Sequence, residues 1–377
     1  MKRKLSLLLI VAAALFAAAM PASAGDKNKL TSADGPYIFH AADGSLRSLS
    51  VSPKGKIEDI RYDSIPENFS FNVVSDKGAE LFTVSLHPTS RPAWKSDESD
   101  RMLIISDPHG NWECFASVLR AGGVIDKKFA WTFGPNKLVI IGDVFDRGKD
   151  VMPIYWLIYK LEAEAAAAGG EVVFVLGNHE TMVLGDDLRY SQKKYLKLAE
   201  KVGMTYPQLM GPDTEIGRWL ATRNAIHVIG DKLYVHAGLS REFYDRKLEI
   251  PQVNELISEG LFMNKNERKE AREPIPFLFG TYGPIWYRGM VYSADKYVPL
   301  DAKDLKHILS RYGVNSIMVG HTIFDDVMTF YHQRVFAVNV DNKANMEKGR
   351  SRGILIEKGT KYLIYDSGKK VEIKPLK

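Results

Sequence analysis

From residue 101 onward, the apolar positions fall into short runs separated by longer stretches of helical period. Leu103-Ile104-Ile105, 138–141, 172–176, Leu233-Tyr234-Val235 and Ile317-Met318-Val319 are rich in β-branched residues and bounded by turn signals. Each predicts a buried strand. Between them the period lengthens, predicting helices over 112–120, 152–168, 192–202, 215–222, 253–272 and 302–312. Strand and helix in alternation argue for a layered α/β domain. The pattern upstream differs. Tyr37-Ile38-Phe39 and 46–51 flank an Ala-Asp-Gly turn, and 69–74 and 81–86 flank Ser75-Asp76-Lys77-Gly78, so both pairs read as hairpins. Residues 88–100 are polar and proline-containing, predicting a linker. The tail returns to strands at Ile354-Leu355-Ile356, Tyr362-Leu363-Ile364 and Val371-Glu372-Ile373.

The first residues change the picture of compartment. Lys2, Arg3 and Lys4 precede an unbroken apolar run over 7–20, and Pro21-Ala22-Ser23-Ala24 supplies small residues for a signal peptidase. The expectation is a secretory signal over 1–24 and an exported protein, periplasmic or secreted. Removing those three cations lowers the formal charge from +5 to +2. The near-neutral remainder gives no support to nucleic-acid binding. No second long apolar run follows, so no membrane anchor is expected after cleavage. With Cys114 as the one cysteine, no intramolecular disulfide can form. The expected organisation is a signal over 1–24, an accessory β segment over 25–98 and a catalytic domain over 99–377.

Chemistry enters at the strand ends. The first predicted strand is followed by Ser106-Asp107-Pro108-His109-Gly110, and the second by Gly142-Asp143-Val144-Phe145-Asp146-Arg147-Gly148. The others end in Gly177-Asn178-His179-Glu180, His236-Ala237-Gly238 and Gly320-His321-Thr322. In open α/β sheets the carboxyl edge is where ligands bind. Carboxylate, amide and imidazole donors without thiolate suit Mn, Fe or Zn. Asp107, His109, Asp143, Asn178, His236 and His321 are therefore the candidate metal ligands, with Asp143 bridging two cations. Such a pair generates a hydroxide between the ions at neutral pH and neutralises phosphoryl oxygens. His179, next to a ligand, is the candidate proton donor, with Asp146 orienting it. Arg147 is the candidate phosphate clamp and Arg288, in Trp286-Tyr287-Arg288-Gly289, a second cation.

Each motif alone is weak, since an Asp-x-His after a strand is more often a turn with a surface histidine. Five in this order, each after a strand, are not. Cys114, Trp112, Tyr155 and Trp156 read as packing residues, and His40, His87, His227, His307 and His332 as structural or surface positions. Asp341 reads as a strand-end turn.

The series resembles the calcineurin-like metallophosphoesterases, and within them the phosphoprotein phosphatase superfamily. Gly185-Asp186-Asp187-Leu188-Arg189-Tyr190 and Gly217-Arg218-Trp219-Leu220 are similar to segments of bacterial Shewanella-like protein phosphatases. The resemblance covers roughly 100–345. It implies a four-layer α-β-β-α sandwich of two mixed sheets, with the C-terminal strands completing the second. It implies two metal ions, manganese before iron or zinc, one held by Asp107, His109 and Asp143 and the other by Asp143, Asn178, His236 and His321. His179 with Asp146 would form the acid pair and Arg147 the phosphate clamp. The expected substrate is a phosphorylated protein (phosphotyrosine or phosphoserine/threonine) or a small phosphoester. A nucleotide polyphosphate hydrolase of the diadenosine tetraphosphatase type and a non-catalytic metal- or phosphate-binding protein are the alternatives. The insertion 182–215, with Tyr190 and Lys193-Lys194-Tyr195, is expected to wall the pocket.

Overall fold

Alternation along the strand Arg101–Ser106 sets the layering. Leu103 and Ile105 pack into the helix-side core, whereas Met102 and Ile104 face a second sheet. A strand buried on both faces needs no polar side, which is why this sequence is uniformly apolar. The computed structural model describes residues 30–374; the expected signal over 1–24 lies outside them.

One six-stranded sheet runs in the order Lys370–Glu372, Thr360–Ile364, Gly353–Glu357, Arg101–Ser106, Lys137–Ile141 and Glu171–Val175. Its last three strands are parallel and its first three antiparallel. The other six-stranded sheet is Met328–Phe330, Val335–Ala337, Ser316–Val319, Lys232–Val235, Ile226–Ile229 and Lys95–Ser96, also mixed. Val139, Ile141, Val173 and Val175 of the first meet Ile229, Tyr234, Met318 and Phe336 of the second in an apolar interlayer. Helices cover the outer faces, giving the four-layer sandwich. Among the described residues no helix is long and apolar enough to cross a membrane.

Helix Val151–Ala167 buries residues all round its circumference, from Val151 through Tyr159. The cause is a further layer outside it: a three-stranded sheet, Asp34–His40, Leu46–Val51 and Ile57–Tyr62, and a hairpin, Ser70–Val74 with Glu80–Ser85. Trp156 Nε1 donates to the Pro36 carbonyl at 2.9 Å, and the Trp156 ring meets Phe71 edge-on at 4.7 Å.

Four expectations are corrected. The C-terminal strands extend the first sheet, because Gly353–Glu357 pairs with Arg101–Ser106. The linker over 88–100 contains an edge strand, Lys95–Ser96, parallel to Ile226–Ile229. The helix expected over 253–272 is two, Ile250–Gly260 and Lys265–Glu270, because Asn264 caps a new start by accepting from Asn266 N and Glu267 N. In the insertion, Lys194 and Tyr195 do not face the pocket. Lys194 Nζ binds the carbonyls of Ala33 and Lys149, at 2.8 Å each, and Asp76 Oδ1 at 3.0 Å. Tyr195 is buried.

Candidate metal and phosphate site

The loops that leave the motif strands turn abruptly. Asp107, His109, Asp143, Asp146, Arg147 and His321 all adopt positive φ, between 44° and 70°. A non-glycine residue in this region costs roughly 1–2 kcal/mol, so surrounding contacts must hold it there. They do: Asp107 N donates to the Gly142 carbonyl at 3.1 Å and His109 N to the Asp143 carbonyl at 2.9 Å, locking the first two loops together. Gly142 makes the approach possible. A Cβ there would lie 2.7 Å from Gly177 Cα and 2.8 Å from His236 Nδ1.

Asp143 occupies the centre. Its Oδ2 lies 3.3 Å from His236 Nε2 and 3.8 Å from both His109 Nε2 and His179 Nε2. Ligand-capable atoms of His109, Asp143 and His179 form one cluster, and those of Asp143, His236 and His321 a second, each within 4.8 Å. Asn178 Oδ1 is 3.0 Å from His236 Nε2, and Asp107 Oδ2 accepts from His321 N at 3.1 Å. The six expected ligands thus converge, three from one sheet and two from the other, with Asn178 opening a helix.

Ring orientation favours cation binding. His109 Nδ1 bonds the Phe145 carbonyl at 2.7 Å and His236 Nδ1 the Ile141 carbonyl at 3.0 Å, so each ring presents Nε2 inward. His321 Nε2 is buried with no hydrogen-bond partner among the described residues. An orphaned imidazole nitrogen beside buried carboxylates fits a metal ion, which would satisfy both. The polypeptide's own charges are mixed, since burial lowers the His236 pKa but Asp143 and Asp107 outweigh burial and raise it to about 9. Burial pushes Asp107 up to about 7, with Asp143 adding to the shift against His236. Burial also drives His109 down to about 4 and His321 well below the ordinary range, leaving neutral rings. At Asp143, burial is outweighed by His236 and His179, and the carboxylate stays ionised.

His179 is placed differently. Its Nδ1 pairs with Asp146 Oδ2 at 2.6 Å, and Asp146 Oδ1 accepts from Ser191 Oγ at 2.6 Å. Burial opposes the charged ring, but Asp143 and Asp146 outweigh it and raise the His179 pKa. With Nδ1 taken by Asp146, Nε2 is the ring atom that faces the cluster, 3.8 Å from Asp143 Oδ2. Arg147 and Arg288 line the same cleft of about 250 Å³ with Asp107, His109, Asp143, His179 and His321. Arg147 lies 5.0 Å over the Tyr190 ring, and Tyr190 lies 5.5 Å from His179. Arg288 Nη1 donates to the His321 carbonyl at 2.9 Å and to Thr322 Oγ1 at 3.0 Å, neutral partners rather than a carboxylate. Asp341 caps helix Asn342–Lys348, and the adjacent Asn342 amide donates to the Asp107 carbonyl at 2.9 Å.

Sequence reasoning gave no role to Glu180, although it ends the third motif. Its buried carboxylate accepts from Asp143 N at 2.9 Å, Gly177 N at 2.8 Å, Val144 N at 2.8 Å and the Tyr155 hydroxyl at 2.9 Å. It ties the second motif loop to the third. A carboxylate aimed at backbone rather than cation leaves no signal in residue type alone.

With this geometry in view, residues 101–324 match the family model described as calcineurin-like phosphoesterase. The structure is similar to that of a cold-active protein-tyrosine phosphatase of a psychrophilic Shewanella species, at TM-score 0.81 and 30% identity, covering 91% of this chain and 99% of that one. Shewanella-like protein phosphatase 2 of Arabidopsis thaliana is 29% identical over 272 residues, 61% of this chain and 68% of that protein. Shewanella-like protein phosphatase 1 of Plasmodium berghei is 26% identical over 225 residues. The match spans 59% of this chain and 61% of the Plasmodium protein, under two thirds of its length. The chain belongs to the calcineurin-like phosphoesterase family and is a metal-dependent phosphatase.

Proposed function

We propose that the chain is an exported protein phosphatase that hydrolyses phosphotyrosine or phosphoserine/threonine with manganese as its resident metal, iron or zinc also suiting the donors. The observation that carries this reading is the His179–Asp146 pair, 2.6 Å apart and opening beside Asp143 into the Arg147–Arg288 cleft. Asp107, His109 and Asp143 would hold one cation, and Asp143, Asn178, His236 and His321 the other. When bound, the cations supply an activated water and neutralise the phosphoryl oxygens. Arg147 and Arg288 grip those oxygens and turn the ester oxygen toward His179. As the water oxygen bonds to phosphorus and the ester P–O bond breaks, His179 Nε2 gives its proton to the leaving oxygen. Asp146 holds Nδ1 throughout, and inorganic phosphate and the free hydroxyl remain.

Two observations favour a protein substrate over a dinucleotide. The relatives and the structural neighbour are named protein phosphatases. The rim beside His179 and Arg147 is the Tyr190 ring, 44% exposed, with Ile323 56% exposed among the other lining residues. That surface suits an aryl group on the ester oxygen. Export rests on Lys2-Arg3-Lys4, the apolar run over 7–20 and the small residues before Gly25. The test is turnover of phosphotyrosine peptide, phosphoserine peptide and diadenosine tetraphosphate with manganese, beside N-terminal sequencing of protein recovered from a periplasmic or secreted fraction. Peptide hydrolysis and a mature start near Gly25 are expected. Faster use of the dinucleotide would overturn the substrate class, and an intact Met1 the export.

A further inference from the structure

A second cavity, of about 480 Å³, lies beside the candidate ligand cluster. Two of its wall residues touch candidate ligands. Met182 Sδ lies 3.5 Å from Asn178 Nδ2, and the Trp286 ring meets His321 edge-on at 5.8 Å. The cavity therefore begins one side chain from the reacting centre.

Its charge is one-sided. Arg189, Lys265, Arg268, Lys269 and Lys296 line it, against Asp187 alone. Asp187 is already committed to Arg189. Arg268 spends Nε and Nη2 on the carbonyls of Gly260, Thr181 and Leu261, and its guanidinium lies 4.2 Å over the Phe279 ring. Among the described residues no carboxylate oxygen lies within 4.0 Å of the charged nitrogens of Lys265, Arg268, Lys269 or Lys296. Neighbouring cations in a recess raise the local concentration of anions. The Phe279 and Trp286 rings add a surface on which the stems of extended side chains can lie.

We propose that this cleft receives acidic side chains flanking the scissile phosphate, so that the enzyme selects phosphopeptides with Asp or Glu close to the phosphorylated residue. The assignment rests on the phosphatase reading above. The preference is electrostatic, so it weakens with ionic strength as screening shortens.

The experiment compares kcat/KM for paired phosphotyrosine peptides differing only in flanking Glu or Gln, with p-nitrophenyl phosphate in the same assay. Wild type should favour the acidic peptide by about tenfold at low salt, chiefly through KM, and lose most of that ratio at high salt. In Lys269→Glu/Lys296→Glu the ratio should fall to about one or below, and in the milder Lys269→Met/Lys296→Met it should fall partway. Aryl phosphate turnover with equal peptide rates in wild type would overturn the cleft assignment. So would a ratio that survives in both variants. Failure to hydrolyse any of the three substrates would overturn the phosphatase reading and this assignment with it.

Discussion

At the scale of single residues, the site divides into groups that bind and groups that hold. Asp107, Asp143 and the imidazoles were legible because metal chemistry accepts few side-chain types and each followed an apolar strand with glycine nearby. Tyr190 was legible only as part of an insertion expected to wall the pocket, and Glu180 and Ser191 were not, since their carboxylate and hydroxyl orient neighbours, which residue type does not encode. The proposed acid role of His179 draws on its Nδ1 being taken by Asp146 while its Nε2 faces the cluster. His179→Ala should lower kcat by about 10²–10⁴-fold on phenyl phosphate, the usual contribution of a positioned acid. The loss should be smaller on p-nitrophenyl phosphate, whose leaving oxygen needs less protonation. Bound metal per chain, measured by atomic emission, should stay level. An equal loss on both esters with depleted metal would make His179 a ligand, as its place in the cluster with His109 and Asp143 also allows.

At the scale of elements, periodicity located the five motif strands and most helices but failed where an element is short or half exposed. Ile57–Tyr62 has four exposed and two half-buried positions, so it carries no clean alternation. Lys95–Ser96 is two residues long and exists only because Ile226–Ile229 offers an edge. The break at Asn264 was visible in principle, as Asn264 and Glu267 form a capping box. Helix Glu215–Ala221, which periodicity did locate, helps dock the accessory strands. Glu215, at the start of helix Glu215–Ala221, binds His40 at 2.5 Å and accepts from the Tyr159 hydroxyl at 2.7 Å, while His40 N donates to the Asp213 carbonyl at 2.8 Å. Burial works against the Glu215 charge, but the His40 and Tyr159 hydrogen bonds outweigh it and hold the carboxyl below its ordinary value of 4.5. A depressed carboxylate stabilises the fold above the unfolded pKa and loses that contribution as pH falls through the folded value. Urea unfolding between pH 7 and pH 3 should therefore show wild type losing more stability on acidification than Glu215→Gln. Parallel pH profiles would contradict this.

At the scale of the whole molecule, two sheets bring their carboxyl edges to one point. Asp107, Asp143 and Asn178 come from the first, and His236 and His321 from the second. Which strand joined which sheet was not legible, because pairing joins positions as distant as Ile104 and Ile354 and leaves no local trace. The sandwich needs both sheets before the cluster exists, so the metal site reports on the tertiary fold as a whole. Ions bound only by the folded state stabilise it by mass action, about 4 kcal/mol at a thousandfold excess over Kd. The central claim is that Asp143 is shared by two cations. Anomalous diffraction at the manganese edge, on crystals grown with manganese, tests it most directly. Two peaks roughly 3.5–4 Å apart, both within bonding distance of Asp143, with His109 on one side and His236 and His321 on the other, are the predicted result. A single peak, or peaks that leave Asp143 without a metal, would contradict it.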